Sequence, residues 1–179
     1  MPAMKLYVAR HGQTQWNLEN KILGRTDLPL TEVGKAQAEI LADRVSDLEL
    51  DLIISSPMRR AMETAGAVAN RYHLPVLTDE RLIEQDFGIY EGQHHKVPDY
   101  LENKRQFAYR YPGGESGFDV AHRVYGFLEE LKEKYPNQRI LVVCHRCICR
   151  IIRTYFEDMT NEAFLLYAEE NCAVREYEM

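Results

Sequence analysis

Apolar residues fall in short dense runs near both ends of the chain and at helical spacing between them. Leu6-Tyr7-Val8-Ala9 and Ile140-Leu141-Val142-Val143-Cys144 are unbroken runs, the pattern of strands covered on both faces. Lys5 to Ala9 is therefore read as a buried strand, with Leu52-Ile53-Ile54, Pro75-Val76-Leu77 and 172–177 as shorter ones. Thr31 reads as the N-cap of a helix to about Ser46, with Val33, Ala36, Ile40, Leu41 and Val45 as its apolar face. Ser56-Pro57 reads as a cap followed by a first-turn proline, opening a helix that carries Met58, Ala61, Ala65 and Val68 toward a core. Ser116 with Asp119 resembles a capping box opening a helix to about Lys134, and a further helix runs from Arg146 to Phe156. Leu82 to Gly92 lacks a period and reads as a loop; 93–112 is polar and aromatic, partly helical around Tyr100 to Tyr109. Strands alternating with helices imply an α/β fold, a three-layer αβα sandwich with a mostly parallel central sheet.

Composition changes this picture little. The chain has 179 residues with no repeat and no Gly/Ser-rich linker, so 1–179 is expected to be one domain. Twenty-two basic and 28 acidic residues give a formal net charge of -6, which argues against nucleic acid or an anionic membrane as the main partner. It leaves room for a locally basic pocket. No signal peptide and no bilayer-length apolar stretch is read, so a cytoplasmic location with reduced thiols is expected.

The candidate chemistry lies where the apolar runs stop. Arg10-His11-Gly12 follows the first run and His145 follows the second. In open α/β sheets, ligands bind at the carboxyl ends of strands. Arg60 falls in the first turn of its helix, where free N–H groups and the macrodipole favour an anion. Paired arginines match phosphate oxygens through forked hydrogen bonds. Cys144, His145, Cys147 and Cys149 also invite a metal reading. A strand-to-helix junction aims these side chains apart and no second pair follows, so buried, inert cysteines are expected, with Cys147 an oxidation liability if it borders a cationic pocket.

Taken in order, VARHGQTQWN, GRTDLPLTEVGKAQA, SSPMRRAMETA, LIEQDFGIYEG, PGGES and LVVCH resemble the histidine phosphatase superfamily over most of the chain. The resemblance implies a phosphoglycerate mutase-like fold, closest in form to short phosphatases such as α-ribazole phosphatase and broad-specificity phosphatases. It implies His11 as the nucleophile that becomes a phosphohistidine, and Glu84 as proton donor to the leaving group. Arg10, Asn17, Arg60 and His145 would bind the phosphoryl oxygens. The implied activity is metal-independent hydrolysis of a small phosphomonoester, without a cofactor. Phosphoglycerate mutase-type transfer is the first alternative, and a non-catalytic phosphate-binding module the second. A homodimer is left open.

This chain departs from the family pattern at three points. Arg146 and Cys147 stand where the family usually has glycine after the second histidine, and Gln13 stands where many relatives carry glutamate. Arg146 is weighed as a contact for a second anionic group on the substrate, against a side chain that merely points into solvent. The segment at about 93–115 is read as a specificity lid. It offers His94, His95, Lys96, Lys104, Arg105 and Arg110 beside Tyr100, Phe107, Tyr109 and Tyr111, although an ordinary amphipathic helix would use the same residues. Its compactness favours a phosphatase over a mutase with larger insertions.

Overall fold

The computed structural model describes residues 3–179. Strands β1 (Lys5–Arg10), β2 (Leu52–Ser55), β3 (Val76–Thr78), β4 (Arg139–Cys144) and β5 (Val174–Glu178) form one sheet in the order β3-β2-β4-β1-β5. The pairs β1–β4, β4–β2 and β2–β3 are parallel, and β5 runs antiparallel on β1. The helices are α1 (Gln15–Leu18), α2 (Glu32–Arg44), α3 (Arg59–Tyr72), α4 (Pro98–Asn103), α5 (Gly117–Lys134), α6 (Arg146–Phe156) and α7 (Asn161–Leu166). None among the described residues is long and apolar enough to cross a membrane.

Alternation along the strands divides the core into two layers. Leu6, Val8, Ile140 and Val142 pack with Val124, Leu128, Ile148 and Ile152 of α5 and α6. Tyr7, Ala9, Leu141 and Val143 pack with Leu41, Ala42, Ala65 and Val68 of α2 and α3. Covering both faces explains why the two central strands are apolar without interruption.

The same arrangement positions the site. After β1 the chain passes to the α2 face; after β4 it passes to the α6 face. Neighbouring parallel strands whose connections diverge open a crevice at their carboxyl ends. Arg10 is in register with Cys144, so His11 and His145 leave the sheet side by side.

Three expectations need correction. The inward face of α2 is Gly34, Ala38, Leu41 and Ala42, with Val45 buried beyond it, whereas Val33 and Ile40 are more than half exposed. Close backbone approach decides this: a Cβ on Gly34 would stand 2.2 Å from the Gln13 carbonyl oxygen. The small face must therefore turn inward, whatever the larger apolar residues favour. Helix α3 starts at Arg59 and not at Pro57, because the Ser56 hydroxyl is drawn into the site. The helix at 98–103 stops before Tyr109; the chain then turns so that Tyr111 can bury against Phe87, Tyr90 and Tyr100. Helices α1 and α7 were not anticipated, being too short to show a period.

Candidate active site

His11 is 3% exposed, and its ring centroid lies 5.2 Å from that of His145. Its Nδ1 is 2.7 Å from the Gly12 carbonyl oxygen. A carbonyl only accepts, so Nδ1 carries the proton and Nε2 keeps its lone pair. Among the described residues Nε2 has no hydrogen-bond partner, and the side chain lines a cavity of about 200 Å3. Burial, then the charges of Arg10 and Arg60, hold the His11 pKa well below the ordinary imidazole value. The ring is thus neutral and nucleophilic without first losing a proton.

The backbone around His11 is tied from three sides. Gly12 N–H donates to Thr64 Oγ1 at 3.0 Å, and Thr64 in turn donates to the Arg60 carbonyl at 2.8 Å. Asn171 Nδ2 donates to the His11 carbonyl at 2.9 Å. Gly12 also lies against Gly34, where a Cβ would meet a carbonyl oxygen at 2.5 Å. These ties fix the loop after β1 without using the imidazole.

His145 is fully buried, and its Nε2 lies 2.8 Å from Ser56 Oγ. That hydroxyl accepts from Met58 N–H, so its own proton can go to Nε2. A neutral His145 then carries its proton on Nδ1, which has no partner. Burial and the neighbouring Arg60 push its pKa well down.

Arg10 donates through Nη1 to the Glu169 carbonyl at 2.7 Å. Arg60 donates through Nη1 and Nη2 to the carbonyls of Thr26 and Gly24 at 2.9 and 2.8 Å. Neither meets a carboxylate, so both keep their charge for something else. Burial brings the Arg10 pKa down to about 10, which leaves it charged at neutral pH. Among the described residues, Arg10 Nε, Arg60 Nε and His145 Nδ1 are buried nitrogens without a hydrogen-bond partner. Buried donors are rarely left so, and these three belong to one cluster. Arg59, the adjacent choice in the sequence, lies on the surface and pairs with Glu63. Asn17 closes the cavity's edge, its Oδ1 accepting from Thr14 N–H in the α1 capping box.

Glu84 lines the same cavity as His11. Its carboxyl accepts from the N–H groups of Gln85 at 2.9 Å and Cys147 at 3.2 Å. Burial raises its pKa against the pull of those two donors. The segment is pinned by Glu115, at the end of the PGGE turn. Glu115 accepts from Asp86 N–H at 2.9 Å and pairs with Arg123 at 3.0 Å. Arg123 also donates to the Arg81 carbonyl at 2.5 Å. Thr64, Glu115, Arg123 and Asn171 were not singled out in the sequence; only the PGGE turn hinted at Glu115.

Arg146 is exposed, yet it lines both this cavity and a neighbouring one of about 260 Å3. From the 93–115 segment, His95, Tyr100, Lys104, Phe107 and Tyr111 line the second cavity, while Arg110 pairs with Asp119 on the surface. Among the described residues no group of three or more His, Cys, Asp or Glu could hold a metal. Cys144 and Cys149 are buried with sulfurs 3.6 Å apart. Cys147 lines the second cavity, but burial and the nearby Glu84 push its thiol pKa far up, so the expected reactivity is opposed.

The profile of the histidine phosphatase superfamily, branch 1, matches residues 6–179. Phosphoserine phosphatase 1 of Hydrogenobacter thermophilus is 37% identical over 149 residues, covering 79% of this chain and 71% of that relative. A protein of Cronobacter sakazakii named as probable phosphoglycerate mutase GpmB is 38% identical over 149 residues, covering 79% and 69%. The two coverages of the relatives are alike, so overall length does not separate phosphatase from mutase names. Among solved structures, the α-ribazole phosphatase of Shigella flexneri superposes with a TM-score of 0.85 at 28% identity, covering 97% of this chain and 89% of that one. A mycobacterial glucosyl-3-phosphoglycerate phosphatase gives a TM-score of 0.85 at 28% identity, covering 97% and 89%. With the family profile spanning both histidines, both buried arginines and Glu84, the chain belongs to the histidine phosphatase superfamily.

Proposed function

We propose that this histidine phosphatase hydrolyses a small phosphomonoester through a phosphohistidine on His11. One observation carries the reading: buried, unpartnered nitrogens on Arg10, Arg60 and His145 belong to the side chains whose ring or charge acts on a neutral His11 imidazole, and its Nε2 has no hydrogen-bond partner among the described residues. A phosphoryl group spreads charge over its equatorial oxygens, and fixed donors of this kind stabilise it.

In the first step His11 Nε2 attacks phosphorus and the bond to the leaving oxygen breaks. The leaving oxygen takes the proton of Glu84, whose raised pKa keeps it available. In the second step the Glu84 carboxylate removes a proton from water, the water oxygen bonds phosphorus, and the N–P bond breaks. Inorganic phosphate leaves and Glu84 is protonated again. Arg10, Arg60, His145 and Asn17 hold the phosphoryl oxygens through both steps. That His11 and Glu84 line one cavity weighs against a purely binding role.

The test is a screen of phosphorylated metabolites with released phosphate and isomerised product both measured, run with EDTA. The reading expects phosphate release that survives chelation and falls at least about 10⁴-fold in His11→Ala. Isomerisation without release would make the protein a mutase. Full turnover by His11→Ala would remove the phosphohistidine.

A further inference from the structure

We propose that the cavity beyond Glu84 is a subsite for a second negative charge, carried by the leaving group and read by Arg146 and Lys104. The inference rests on the hydrolase reading, because it identifies which end of the ester enters which cavity.

The two cavities meet at Glu84, Phe87, His95, Tyr100 and Arg146. An ester with phosphorus at His11 and its bridging oxygen at Glu84 brings its leaving group to the residues the two cavities share. The volume beyond them, about 260 Å3, is enough for a small metabolite's body.

The lining of this second cavity is unbalanced in charge. Lys104 follows α4, and Arg146 and Arg150 stand one turn apart on α6, so both arginines share a helix face. Glu84 is the one carboxyl in the lining, and it is the group that must be protonated to act. Elsewhere in this acidic chain, cations find carboxylates: Lys5 pairs with Glu176, Arg71 with Asp43, Arg81 with Asp79 and Arg139 with Glu49. Lys104 and Arg146 behave otherwise. Among the described residues, neither side chain donates a hydrogen bond or joins an ion pair. Arg150 is partly spent, donating to the carbonyls of Tyr167 and Leu165.

Their surroundings deepen the contrast. Lys104 sits 5.9 Å from the centre of the Tyr100 ring, and Arg150 6.0 Å from that of Phe164. Those cation–π contacts compensate only part of the mutual repulsion. Burial and the charges of Arg150, Arg105 and Arg146 lower the Lys104 pKa, the direction expected of a cation among cations. An oxyanion between Lys104 and Arg146 would relieve that repulsion and draw the 93–115 segment onto α6. Carboxylate and a second phosphate share this chemistry, since a guanidinium and an ammonium bind either.

A matched set of three-carbon esters distinguishes them: propyl phosphate, 3-phosphoglycerate and propanediol bisphosphate. Released phosphate is measured for the wild type, Arg146→Met and Lys104→Met, with melting temperatures to confirm folding. The expected kcat/KM of the wild type is at least about tenfold higher for one charged ester than for propyl phosphate. Arg146→Met should cut that ratio at least about tenfold, chiefly through KM, and Lys104→Met by a smaller factor. Salt should compress the ratio as well. The better of the two charged esters tells which oxyanion the subsite takes. A wild-type ratio near one, or a ratio that neither variant moves, overturns the proposal. If no ester is hydrolysed, the hydrolase reading fails separately. Calorimetric binding of 3-phosphoglycerate and propyl phosphate then judges the subsite alone, and equal affinities overturn it.

Discussion

The cage around His11 and the cavity beyond Glu84 share a wall but are built in opposite ways. The cage stands on the ends of β1 and β4 and the first turn of α3, and its side chains are buried. Its arginines are held by backbone carbonyls and its histidines by Gly12 and Ser56. The neighbouring cavity takes Lys104, Phe107 and Tyr111 from an irregular segment and Arg146 from the exposed start of α6. Regular elements fix the group that every phosphomonoester shares. Loops and exposed positions meet the part that differs between esters.

Substitutions should therefore sort by which side of Glu84 they strike. The largest split is expected from Glu84→Gln. Alkyl esters should lose about 10²–10⁴ in kcat/KM, because their leaving oxygen needs a proton. The ester p-nitrophenyl phosphate should lose far less in kcat/KM, since nitrophenolate departs without one, while its kcat still falls through slower hydrolysis of the phosphohistidine. The pH profile carries the same signature. In the proposed mechanism His11 acts when neutral, so kcat/KM should fall as pH drops through its depressed pKa. Glu84 would act when protonated, so kcat/KM should fall as pH rises through its raised pKa. Glu84→Gln should erase the alkaline limb and spare the acid one. An alkaline limb that persists would assign the proton donor elsewhere.

Arg60→Lys strikes the cage alone. It keeps a positive charge and loses the fork that spans the carbonyls of Gly24 and Thr26. Turnover should fall about 10²–10³-fold, by similar factors for charged and neutral esters. A loss confined to charged esters would place Arg60 in specificity and blur the comparison.

The smallest effect on chemistry should come from Gly34→Ala, a change beneath the cage. The added methyl would crowd the Gln13 carbonyl, so thermal denaturation should show a loss of about 1–3 kcal/mol. Selectivity among the surviving molecules should not change. An unaltered melting temperature would mean that the β1 loop and α2 move apart freely, contrary to a rigid cage.

How much of this could be read from residues alone follows the same division. The central strands announced themselves as apolar runs, and Ser116 with Asp119 formed the capping box its letters suggest. The site residues at strand ends came from those runs together with the six motifs. The α2 face was misjudged because side-chain size does not reveal that Gly34 must touch backbone. Thr64, Glu115, Arg123 and Asn171 act through partners far away in sequence, and no local pattern marks such pairings. Arg146 was framed as either a ligand contact or a solvated charge. It is exposed and also lines both cavities, so the two descriptions are not exclusive.

The central claim is that His11 Nε2 bonds transiently to phosphorus. Rapid quenching of the enzyme with a phosphomonoester in alkaline denaturant, followed by peptide mass spectrometry, tests it most directly. The account predicts an acid-labile, base-stable phosphoryl group on the peptide containing His11, formed and lost at rates compatible with turnover and, with p-nitrophenyl phosphate as substrate, more abundant when Glu84→Gln slows its hydrolysis. Turnover with no phosphorylated His11 at any quench time, or a phosphoryl group found on His145 instead, would contradict it.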